Sequence, residues 1–153
     1  MARLIMFALL VLALIQVSLA LPYGPSVIFN LEANGVLKGK RNQVPIVERN
    51  NLQGPIWEIQ MFEEGASIYL PEASEYLNVE EYTNEVVIEG GEFEWRIESA
   101  GPGAFKIKLP NVDSLLDWDV NSQKVILQPA KESPSQLWLI KRPFHYSRMY
   151  RQF

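Results

Sequence analysis

An all-β fold of twelve short strands in three similar units is what this sequence predicts, and three observations predict it. Trp57-Glu58-Ile59, Trp95-Arg96-Ile97 and Trp138-Leu139-Ile140 are Trp-x-Ile triplets, with successive tryptophans 38 and 43 residues apart. The short apolar runs ahead of each triplet recur in the same order. No stretch beyond the first twenty residues sustains a 3.6-residue apolar period with caps, so helix content is expected to be low. A repeat of about forty residues implies units that bury their apolar faces only against one another.

The first unit opens after Pro22-Tyr23-Gly24-Pro25, a short stiff entry segment. Val27–Leu31 reads as a strand, Asn34-Gly35 as a turn, and Val36–Lys40 as the returning strand of a hairpin. Arg41-Asn42-Gln43 is a polar connection to Val44–Val47, a strand with Pro near its start, where Pro is tolerated. Glu48–Gly54 reads as a loop, and Ile56–Phe62 is a strand by residue type. The second unit repeats the order with Ala66–Leu70, Tyr76–Val79, Glu85–Ile88 and Phe93–Ile97. The third repeats it with Ala104–Leu109, Leu115–Trp118, Lys124–Leu127 and Gln136–Ile140. Two details fix the register. Leu70-Pro71 matches Leu109-Pro110, and Gly24, Gly65 and Gly103 each stand near the head of a unit.

Residues 1–20 carry a basic start at Arg3, an almost wholly apolar run from Leu4 to Val17, and small residues at Ser18 and Ala20. They read as a secretory signal peptide cut after Ala20. A membrane anchor is the alternative, but the run is short for a span and no basic flank follows it. Without Arg3 the chain has 13 Lys+Arg against 18 Asp+Glu, a net charge of −5. That balance argues against a nucleic-acid partner. There is no cysteine, so disulfides, thiol catalysis and cysteine–metal sites are excluded, and a secreted product must rely on core packing. No Asn-x-Ser/Thr sequon is present. The expected product is a secreted monomer with one domain over 21–143 and a basic, aromatic tail over 144–153, free of the membrane once the signal is removed.

Twelve strands in three units resemble a β-trefoil, in which six strands form a barrel and six form three hairpins that cap one end. Closure removes exposed strand edges. In this arrangement the Trp-x-Ile strands are the fourth of each unit and their tryptophans fill the core. An up-and-down barrel is the alternative. It needs about eight longer strands and gives no reason for a threefold pattern.

Catalytic chemistry has little to work with. The single histidine, His145, lies in the tail, a poor place to hold a catalytic base, and it excludes a histidine-rich metal site. No phosphate-binding glycine motif appears. Glu63-Glu64, Glu80-Glu81 and Asp117/Asp119 are carboxylate pairs of the kind glycosidases use, but in strands and turns such pairs read as solvated surface. The sequence therefore points to a binding protein, not an enzyme, with no cofactor and no metal.

From Gly24 to Pro143 the layout, the Trp-x-Ile ends and the lack of cysteine resemble the fungal β-trefoil serine-protease inhibitors. The resemblance implies a protease-binding loop between the second and third strands of the first unit, aimed at trypsin-like enzymes. Here that loop is Lys38–Pro45, the most basic turn of the trefoil. Its candidate contact residues are Lys40, Arg41, Asn42 and Gln43, with Arg41 first and Lys40 next for an Asp-based specificity pocket. The bland readings are a solvated loop or a dibasic processing site. Gln136-Leu137-Trp138 resembles the Gln-x-Trp motif of ricin-B-type lectins, while Pro55-Ile56-Trp57 and Phe93-Glu94-Trp95 depart from it. That second resemblance implies a sugar site built from an Asp and an aromatic residue in the third unit, for which Asp113, Asp117 and Trp118 are the candidates.

Overall fold

The computed structural model describes residues 21–143, which form twelve strands and two single-turn 3₁₀ helices. The expected signal peptide over 1–20, its cleavage site and the tail over 144–153 with His145 lie outside the described residues.

Six strands close into a ring. β1 (Gly24–Asn30) pairs with β4 (Trp57–Met61) on one side and β12 (Trp138–Lys141) on the other. β4 pairs with β5 (Ala66–Leu70), and β9 (Ala104–Lys108) pairs with β12 and with β8 (Arg96–Gly101). Trp95, just ahead of β8, closes the circle. Its N–H donates to the Ala66 carbonyl at 2.8 Å and its carbonyl accepts from Ala66 N–H at 2.7 Å. Gly65 must lack a side chain there, because a Cβ would sit 2.7 Å from the Trp95 carbonyl oxygen.

The other six strands form three antiparallel hairpins. These are β2 (Gly35–Lys38) with β3 (Ile46–Arg49), β6 (Glu75–Val79) with β7 (Val86–Ile88), and β10 (Ser114–Trp118) with β11 (Val125–Pro129). A six-stranded barrel capped by three hairpins, built from a four-strand unit repeated three times along the chain, is a β-trefoil.

The repeat is also chemical. Trp57, Trp95 and Trp138 have no exposed surface, and Ile59, Ile97 and Ile140 of the same triplets are buried with them. Each indole Nε1 donates to a carbonyl in the second strand of its own unit: Leu37 at 3.3 Å, Leu77 at 2.9 Å and Leu116 at 3.1 Å. Ile28, Ile68 and Ile107 fill the corresponding place in β1, β5 and β9. Burying each such side chain contributes about 1.5–3 kcal/mol, and the indole bonds satisfy the ring nitrogens of these three tryptophans.

Several boundaries differ from the sequence reading, for identifiable reasons. Gly24 and Pro25 belong to β1, not to an entry segment, because they pair with Ile59 and Glu58. Val44 and Pro45 precede β3. Proline has no N–H for the ladder, and the Pro45 carbonyl turns outward to accept from Val125 N–H at 2.9 Å. Glu48 and Arg49, read as loop, complete β3. β8 begins after Trp95 and runs on to Gly101 through a register shift between Ser99 and Gly101, where Gly101 has φ 134°.

Candidate functional site

The hairpin tips differ between units, and that difference selects a surface. In the second and third units the tips are built alike. Glu80 Oε2 accepts from the Thr83 N–H and hydroxyl, both at 2.6 Å, and from Tyr82 N–H at 3.1 Å. Asp119 accepts from the Ser122 hydroxyl at 2.7 Å and Asn121 N–H at 3.2 Å. These bonds, the hydroxyl first in each case, hold both carboxyls below their ordinary values. Asn84 and Gln123 then take left-handed φ values of 56° and 61° to re-enter the next strand.

The first unit has no acid at this place. Lys40 stands where Glu80 and Asp119 stand relative to the indole-bonded leucines, and Lys40, Arg41, Asn42 and Gln43 are all exposed. The loop backbone is nonetheless fixed. Gln43 N–H donates to the Lys40 carbonyl at 3.1 Å, closing a β-turn with Asn42 at φ 60°. Asn42 N–H donates to the Ile88 carbonyl at 2.8 Å, and Ile88 N–H returns a bond to the Gln43 carbonyl at 3.0 Å. The first unit's tip is thus stitched to β7 of the second unit, and Pro45 to β11 of the third.

Arg41 is held as well. Its Nε lies 3.0 Å from Glu75 Oε1, with the arginine side chain 66% exposed and the glutamate side chain 11%. Arg41 and Asn42 form one wall of a shallow cleft whose other wall is Glu75, Asn78, Glu80 and Tyr82. Sequence reasoning missed Glu75. The signal was there: in β6 it alternates with Leu77 onto the buried face, and a carboxylate on an apolar face calls for a cation.

The third-unit candidates do not come together as one sugar-facing group. Asp113 is exposed at the β9–β10 turn. Trp118 is buried, 3% exposed, and its ring lies under the Arg49 guanidinium at 5.2 Å, so it has no open face for a sugar to stack on. Asp117 is also buried. Its Oδ2 accepts from Lys131 Nζ at 2.9 Å and from Gln136 Nε2 at 3.3 Å. The hydrogen bond to Asp117, followed by its charge, raises the Lys131 pKa. Lys131 and Gln136 were the partners the sequence did not reveal for Asp117. Asp117 Oδ1 and Trp118 Nε1 are buried with no hydrogen-bond partner among the described residues. No group of three or more His, Cys, Asp or Glu among the described residues is arranged to hold a metal ion.

No protein-family model and no curated protein matches the chain. Solved structures do match. A ricin B-like lectin from Macrolepiota procera, solved with lactose, is 22% identical over 81% of this chain and 99% of its own, with a TM-score of 0.70. A designed threefold-symmetric protein, ThreeFoil, is 16% identical over 78% of this chain and 99% of its own, with a TM-score of 0.68. A proteinase inhibitor from Coprinopsis cinerea is 11% identical over 81% of this chain and all of its own, with a TM-score of 0.64. The structural neighbours are β-trefoil proteins that include both a lectin and an inhibitor.

Proposed function

We propose that the protein is a secreted, non-enzymatic inhibitor of trypsin-like serine proteases that works reversibly by lodging the Lys40–Gln43 loop in the protease cleft. One observation carries this reading. Four consecutive exposed residues, two of them basic, ride on a backbone bonded in both directions to Ile88. A loop fixed before binding loses little conformational freedom on binding, and that is what makes a substrate-like loop tight. A basic side chain suits an acidic specificity pocket through a charge-assisted bond. Inhibition by the mature chain of trypsin, chymotrypsin, subtilisin and papain tests it. Inhibition of trypsin is expected, and the reading is lost if neither trypsin nor chymotrypsin is inhibited at micromolar protein, whatever the outcome with subtilisin and papain.

A second reading, carbohydrate binding by the third unit, is favoured by the contact of Gln136 with Asp117 inside the Gln-x-Trp repeat. Binding to a glycan array that disappears in Asp117→Asn would support it over inhibition. Trp118→Ala is not a suitable test, because the ring is buried and its removal would disturb the core.

A further inference from the structure

The Lys40–Gln43 loop carries two adjacent basic side chains, and only one enters a specificity pocket. The structure separates them. Arg41 is already engaged: its Nε is 3.0 Å from the carboxylate of Glu75, whose side chain is almost buried. Among the described residues Arg41 is the one cation paired with Glu75. Moving Arg41 into a protease would leave that carboxylate unpaired, a large penalty for a charge removed from water.

Lys40 has no such tie. It is exposed and forms no ion pair among the described residues. It also sits between two anchored neighbours. A Cβ on Gly39 would lie 1.8 Å from Ile88 Cδ1, so the backbone before Lys40 is packed against β7. After Lys40 comes Arg41 on Glu75, and the Lys40 carbonyl itself accepts from Gln43 N–H. The backbone is held on both sides, and of the two basic side chains the lysine is the one left unpaired among the described residues.

We propose that Lys40 enters the acidic pocket of the protease and that Arg41 is a positioning residue that ties the loop to the second unit through Glu75. This assignment rests on the inhibitory reading above. The test is a set of inhibition constants for the mature chain against trypsin and chymotrypsin. Lys40→Ala is expected to weaken trypsin inhibition about 100-fold or more, as loss of a central anchor does. Lys40→Phe is expected to lose trypsin and gain chymotrypsin, a change of target that no purely structural role produces. Arg41→Ala and Glu75→Gln are expected to weaken trypsin inhibition by about tenfold each, with no further loss in the double variant, and Arg41→Lys to recover part of it. The Lys40 variants are expected to fold, since the side chain is exposed and forms no ion pair among the described residues, and circular dichroism checks it. If Arg41→Phe gains chymotrypsin while Lys40→Phe still blocks trypsin, the assignment is overturned and the inhibitory reading stands. If the wild-type chain inhibits neither protease, the inhibitory reading falls and takes the assignment with it.

Discussion

The indole Nε1 of Trp95 donates to the carbonyl of Leu77 at 2.9 Å, with both residues fully buried. Trp57 with Leu37 and Trp138 with Leu116 repeat the bond in the other two units. Each bond ties the strand that closes a unit, or the residue just ahead of it, to the hairpin strand that caps it. Barrel and cap are thereby held in one register. Trp95→Phe keeps most of the apolar surface and leaves the Leu77 carbonyl without this donor. It should cost about 1–3 kcal/mol, and Trp95→Ala about 3–5 kcal/mol. Urea denaturation measures both, and an unchanged stability in Trp95→Phe would show that the bond contributes nothing.

The threefold plan was legible because it is written in residue types. Trp, Ile and Leu recur at core positions in every unit, and apolar burial is a property each residue carries alone. All twelve strands were placed for that reason, with boundaries moving where backbone pairing decides, as at Gly24-Pro25 and Val44-Pro45. The exposed end of β8, Glu98-Ser99-Ala100, has no periodicity to read. The candidate loop was legible only as a basic stretch. What fixes it, the bonds to Ile88 and the pair with Glu75, joins residues of different units, and spacing along the chain carries no record of such contacts.

Asp117 is buried against Lys131, and breaking such a pair from one side is the costly change. Lys131→Met should lower the thermal midpoint by several degrees, because the carboxylate is left with Gln136 alone. Asp117→Asn in the same chain should recover much of the loss. The raised pKa of Lys131 sets the pH dependence. A cation whose folded-state value exceeds its unfolded one stabilises at all pH below the unfolded value. That contribution fades as pH rises through the folded value. The difference between wild type and Lys131→Met should therefore persist at neutral pH and shrink in strong alkali. A constant difference across that range would mean that the charge plays no part.

Glu80 and Asp119 behave in the opposite sense. Their folded-state values lie below the ordinary ones, because hydroxyl and backbone N–H donors favour the charged form. Their stabilisation is present above the unfolded value and is lost as pH falls through the folded one. The urea midpoint should fall as the pH drops through and below the ordinary carboxylate range. In the Glu80→Gln, Asp119→Asn double variant that fall should be shallower. An unchanged slope would assign acid sensitivity to other carboxylates, such as Glu48, which is lowered by its bond to Lys38.

The hairpin tips also store backbone strain, and it is unevenly spread. Asn42, Asn84 and Gln123 all adopt left-handed φ near 60° at corresponding turns. Asparagine tolerates this region and glutamine does not, since an L residue there crowds its Cβ against the carbonyl at a cost of about 1–2 kcal/mol. Glycine removes that cost but adds about 0.5–1 kcal/mol of unfolded-chain entropy. Gln123 is exposed and its bonds to Asp119 and Val47 use backbone atoms, so the substitution leaves them in place. Gln123→Gly should therefore stabilise the protein by about 0.5–1 kcal/mol, whereas Asn84→Gly and Asn42→Gly should change it little or slightly destabilise it. Gln123→Val, with a branched Cβ in the same conformation, should destabilise it. Thermal denaturation of the four variants gives the order directly, and a loss of stability in Gln123→Gly would show that the turn is not strained at that residue.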